Sequence, residues 1–105
     1  MSNIIEQLER FIREDPDDPF NYYALALEYL KQDIVKAQKL FEQLITHHRT
    51  YVPTYYQLGQ LYVEQGKTED AISILERGIV IAREAGDHKA MREMEGARLA
   101  VLYDN

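Results

Sequence analysis

The chain repeats itself at a spacing of 33 residues, which constrains its fold more than any other feature. Tyr22 superimposes on Tyr55, Tyr23 on Tyr56, Leu25 on Leu58, Ala26 on Gly59 and Tyr29 on Tyr62. The block that follows agrees after one extra residue in the turn: Ala37, Phe41, Leu44 and Ile45 answer to Ala71, Leu75, Gly78 and Ile79. Ile4, Leu8, Phe11 and Ile12 echo that second block ahead of the first repeat. Leu99-Ala100-Val101-Leu102-Tyr103 repeats the Leu-small-x-x-Tyr core of the first block at the other end. A period of this size is the mark of stacked supersecondary units, each too small to bury its apolar face alone.

Each block reads as a helix. Tyr22, Leu25, Ala26 and Tyr29 fall at i, i+3, i+4 and i+7, as do Ala37, Leu40, Phe41 and Leu44. No stretch alternates with period two over a strand's length. The punctuation agrees. Asp18 can cap a helix with Pro19 at its first position, where a missing N–H costs nothing. Asp33 and Thr68 are the expected caps of the second helix of each pair, with Glu69 and Asp70 at the positive end of the dipole. Gly66 and Gly86 read as helix stops and Asp87 as the next cap. Asn3 and Glu6 have the spacing of a capping box. The expectation is six helices over 3–14, 19–31, 34–48, 53–65, 69–85 and 88–103, joined by short turns.

Helix pairs with Leu-Gly-x-x-Tyr in the first member and Ala-x-x-x-Phe in the second resemble the tetratricopeptide repeat. The fullest match is Tyr55-x-x-Leu58-Gly59-x-x-Tyr62, then Gly66, then Ala71-x-x-x-Leu75. Tyr22-x-x-Leu25-Ala26-x-x-Tyr29 followed by Ala37-x-x-x-Phe41 matches nearly as well. Tyr stands where the family favours Trp, Gly78 replaces the usual Ala, and the closing Pro survives only at Pro16. The resemblance implies an all-α fold of antiparallel helix pairs stacked as a right-handed superhelix. It divides one domain, 1–105, into a leading half-repeat helix (1–18), repeats at 19–51 and 52–85, and a trailing helix (86–105). Ala26, Gly59 and Ala100 would then sit where paired helices approach most closely.

The resemblance also implies a function: a non-enzymatic module that binds proteins or peptides in a concave groove lined by the first helix of each pair. The lining would comprise Phe20, Tyr23, Leu27 and Leu30, then Tyr56, Gln60 and Val63, then Met94, Ala97, Arg98 and Val101. The second helix is indeed apolar nearly all round, with Asn21 and Glu28 as its polar residues. Such residues bind a partner, pack internally or meet a second copy. Some family members clamp a C-terminal carboxylate with basic side chains. Those positions fall here on Tyr23, Leu27, Gln57, Met94 and Arg98, mostly apolar, so an apolar-anchored peptide or helix fits better than an acidic tail. The first and last helices each lack a pair-mate. Glu6, Glu9, Arg10 and Arg13, and Lys89, Arg92, Glu93 and Glu95, could polarise these ends, and a bare end invites a homodimer.

Composition narrows the function classes. Twelve Lys plus Arg against 18 Asp plus Glu give a net charge of −6, which argues against nucleic acid as a partner. No cysteine is present, so neither a disulfide frame nor a thiolate metal site is expected. The longest apolar run covers residues 79–82, far short of the ~20 needed to span a bilayer. The first residues lack a signal's basic start and apolar stretch. A soluble cytoplasmic protein without membrane partners is the expectation. The five glycines are dispersed and form no phosphate loop. Ser2 and Ser73 lie in no nucleophile elbow. His47 and His48 point about 100° apart on one helix and read as solvated helix-end residues. The run Asp15-Pro16-Asp17-Asp18 lacks calcium-loop spacing. No catalytic residue, metal or cofactor is expected.

Overall fold

The apolar stripes fold as helices, and the turns between them are as short as the spacing demands. The computed structural model describes residues 4–103, which form six helices: α1 (Ile4–Glu14), α2 (Pro19–Tyr29), α3 (Ile34–His47), α4 (Pro53–Glu64), α5 (Thr68–Ala85) and α6 (His88–Tyr103). Each boundary lies within two residues of the expected one. The expected Asn3 cap lies outside the described residues.

Three of the joints share one design. Asp33 donates its N–H to Tyr29 O, closing α2, while its carbonyl accepts from Ala37 N and its carboxylate from Lys36 N, opening α3. Asp87 does the same between α5 and α6: its N–H reaches Ala82 O, its carbonyl accepts from Met91 N, and its side chain accepts from Ala90 N at 3.1 Å. Between α4 and α5 the joint residue is Lys67, whose N–H bonds Tyr62 O and whose carbonyl accepts from Ala71 N. Thr68 was the expected cap there, and this is a correction: Thr68 is the first helical residue and Lys67 holds the cap position without a side-chain bond. The cause is Gly66. Its left-handed backbone (φ +74) folds the chain back so tightly that the very next residue, Lys67, takes the cap position and Thr68 starts α5. Gly86 repeats that conformation ahead of Asp87. Asp18 caps α2 as expected, accepting from Phe20 N at 3.0 Å with Pro19 behind it.

Contacts gather into two compact units, one ending at His48 and the other starting at Arg49. In the first, α2 packs against both α1 and α3, around Leu8, Leu25, Ala26, Ala37, Phe41, Leu44 and Ile45. In the second, α5 packs against α4 and α6 around Tyr55, Leu58, Leu75, Ala82 and Met94. The predicted close approach at Gly59 is real: a Cβ there would lie 2.6 Å from Leu75 Cδ2. Gly78 is tighter still, since a Cβ would meet Met94 Sδ and Tyr55 Cβ, each at 2.5 Å. That explains glycine in place of the family's alanine. Ala100, expected at a third close approach, is instead exposed, because no helix follows α6 among the described residues to press on it.

Two tyrosines tie the repeats to the turns before them. Tyr22 donates its hydroxyl to Pro16 O at 2.8 Å, and Tyr55, 33 residues later, donates to Arg49 O at 2.6 Å. Burial raises the Tyr55 pKa above 10.0, while Arg77 and Arg49 pull it partly back, so the phenol stays protonated and donating.

Candidate functional site

Each unit presents its own share of the expected partner surface. In the first, Phe20 stands 56% exposed at the start of α2. Tyr23, half-buried, tilts its ring against Phe41 with centroids 6.1 Å apart. Leu27 and Leu30 continue the stripe and are half-buried. The apolar character of α2 thus divides: Leu25 and Ala26 go to the core, and the remainder stays in partial contact with solvent.

In the second unit Tyr56, Gln60 and Val63 share one stripe of α4, half-buried to exposed, with Gln60 Nε2 donating to Tyr56 Oη at 3.4 Å. On α6, Ala97 and Val101 are half-buried one turn apart. Two expected lining residues turn out otherwise engaged. Met94 is 1% exposed, with its sulfur against Gly78 in the core, so it offers nothing to a partner and is withdrawn from the surface. Arg98 is half-buried and pairs with Glu76 of α5 through Nε–Oε2 at 3.0 Å. The space that Gly78 leaves by having no side chain takes the Met94 sulfur.

Sequence reasoning missed a cleft of about 480 Å³ in the first unit, between the Pro16–Asp17 turn, Tyr22 and the last turns of α3. His47 and His48 were expected to be simply solvated. His48 is half-buried with its ring 6.0 Å from that of Tyr22, and both histidines line the cleft. The Tyr22 hydroxyl holds the turn over it. No sequence signal marks this space, since it depends on where the turn after α1 lands. Among the described residues no group of three His, Asp or Glu side chains is placed to hold a metal ion. Nor is any helix there long and apolar enough to cross a membrane.

A helical-repeat module is the class these features define. The tetratricopeptide repeat profile matches residues 28–94, and the chain belongs to that family. A tetratricopeptide repeat domain protein from Salinibacter ruber is similar to it in both crystal and solution structures. The crystal structure is 44% identical, with a TM-score of 0.80 over 84% of this chain and 100% of the other. The solution structure is 46% identical over 83% and 89%, with a TM-score of 0.78. The crystal structure of MamA protein is similar at 25% identity and a TM-score of 0.65, over 93% of this chain and 56% of MamA. No curated protein matches the chain. Tetratricopeptide repeats generally mediate protein–protein interaction and are typically non-catalytic.

Proposed function

We propose that the chain is a non-enzymatic adaptor or scaffold module of the cytoplasm that binds an apolar-anchored peptide or amphipathic helix on the first helix of each pair. Phe20, Tyr23, Leu27 and Leu30 serve in the first unit, and Tyr56, Gln60, Val63, Ala97 and Val101 in the second, with Arg98 at the edge. The observation that carries the reading is the exposure of Phe20 at 56% and Val63 at 40% on helices whose opposite sides are fully buried. Large side chains left at a surface by well-packed helices are anchors in waiting. The net charge of −6 fits apolar recognition better than a clamp for an acidic tail.

The test is selection of binders from a displayed peptide library. Selected peptides should carry apolar anchors at helical spacing, and affinity should fall ~10-fold or more for Tyr56→Ala, as truncation of an aromatic anchor does. Affinity should also vary little with salt. Acidic peptides with steep salt dependence, or equal binding by Tyr56→Ala and Tyr23→Ala, would reject the assignment.

A further inference from the structure

The two ends of the repeat series expose opposite halves of one kind of interface. In α2 the signature residues Leu25 and Ala26 are 6% and 0% exposed, and in α4 Leu58 is 1% exposed, since a second helix packs on each of these elements. The same signature on α6 lies open: Leu99 is 49% exposed, Tyr103 is 81% exposed, and Ala100 faces solvent. α1 is the converse case. Ile4 and Phe11 occupy the positions of Ala37 and Leu44 in α3 and of Ala71 and Gly78 in α5, all buried in their units. Yet Ile4 is 46% and Phe11 39% exposed. Among the described residues, α6 is a first helix without its second, and α1 is a second helix without its first.

Side-chain size indicates what fits. Within the α4–α5 pair, the bulk of Tyr55 fills the space above Gly78. The α6 residue at the position of Tyr55 is Gly96, and a Cβ added there would meet nothing within 4 Å. The α1 residue at the position of Gly78 is Phe11. Large and small have changed sides, an exchange that conserves the volume of a close-packed contact. Charge agrees with size. Antiparallel pairing brings the first turns of α6, with Lys89, Arg92 and Glu93, beside the end of α1 and the turn after it, with Asp15, Asp17 and a Glu14 that already pairs with Arg10 at 3.9 Å. These groups are all exposed. Opposite charges at an interface rim favour this register and oppose the pairing of like ends.

We propose that α6 of one copy packs against α1 of a second copy, pairing two helix faces left open among the described residues, with Phe11 seated over Gly96. The contact is heterologous, so each addition leaves one α1 and one α6 face open and growth runs to a ring or an open filament. It does not rest on the peptide-binding reading, which uses Ala97 and Val101 on another side of α6.

Mixing complementary variants is the decisive experiment. Light scattering on the unmodified chain should show a mass that rises with concentration above that of the monomer. Phe11→Glu and Leu99→Glu each blunt one face at an exposed site, and circular dichroism should show both folded. Each alone should stay monomeric, while their equimolar mixture should form a dimer and nothing larger. A mass fixed at the monomer up to ~1 mM, the weak limit of specific association, overturns the proposal. So does self-association by either variant, the mark of an interface between like ends, and so does a mixture that stays monomeric. The size exchange has its own check. Gly96→Phe should weaken association ~10-fold, and adding Phe11→Ala to it should restore most of that loss. Failure of the rescue removes the Phe11–Gly96 seat.

Discussion

α4 and α6 carry the same Leu-small-x-x-Tyr signature, in the same unit and against the same neighbour α5, yet one hides it and the other displays it. Leu58 is 1% exposed and Leu99 49%. Gly59 cannot accept a Cβ without moving Leu75, whereas a Cβ added at Gly96 would meet nothing within 4 Å. A motif therefore does not bury itself. It states what kind of surface a helix offers, and whether that surface becomes core depends on what arrives to cover it.

The difference can be broken most forcefully at the two leucines. Leu58→Ala should cost ~2–5 kcal/mol by leaving a cavity, while Leu99→Ala in dilute solution should change stability by less than ~0.5 kcal/mol, as exposed positions do. Urea unfolding of both variants measures the gap, and equal losses would mean that Leu99 is core after all. Next come the glycines. Gly59→Leu should lose ~1–3 kcal/mol to overpacking, a drop of several degrees in Tm. Gly96→Ala should instead gain ~0.5–1 kcal/mol from helix propensity alone. An unchanged melt for Gly59→Leu would place that position in solvent. A further effect concerns Tyr55. Its pKa is raised in the folded chain, so its contribution is complete below the unfolded value of 10.0 and declines as pH climbs from there toward the folded value. Tyr55→Phe should cost ~0.5–1.5 kcal/mol at neutral pH, the worth of the bond to Arg49 O, and should flatten part of the stability loss above about pH 10. Unfolding curves on either side of that pH measure both.

The fold was legible because its two determinants are local and periodic. The i, i+3, i+4, i+7 stripes gave the helices, and Asp18, Asp33, Gly66, Gly86 and Asp87 gave their ends. Thr68 was expected in the cap position that Lys67 holds, because no side-chain preference marks a residue that caps with its backbone alone. Met94 and Ala100 were misjudged for a different reason. Met94 depends on the space opposite it at Gly78, and Ala100 on the absence of a following helix among the described residues; neither is a property of the residue itself. The cleft beside His48 depends on the path of the turn after α1, which carries no periodic signal. Of the expected partner residues, Phe20, Tyr23, Leu27, Leu30, Tyr56, Gln60, Val63, Ala97 and Val101 keep at least partial exposure, and whether they bind remains the proposal above.

The joints have a consequence for the kinds of change such a chain tolerates. Asp33, Lys67 and Asp87 each finish one rod and begin the next, leaving no slack between them. An insertion at such a point turns everything downstream by about 100° and carries its oily stripe round toward water. Gly66 shows the permitted exception: it is the extra residue of the second repeat, and its φ of +74 absorbs the added length so that phase is kept. Length variation in a chain built this way should therefore be quantised, admitted where a left-handed glycine can take up the step and refused elsewhere.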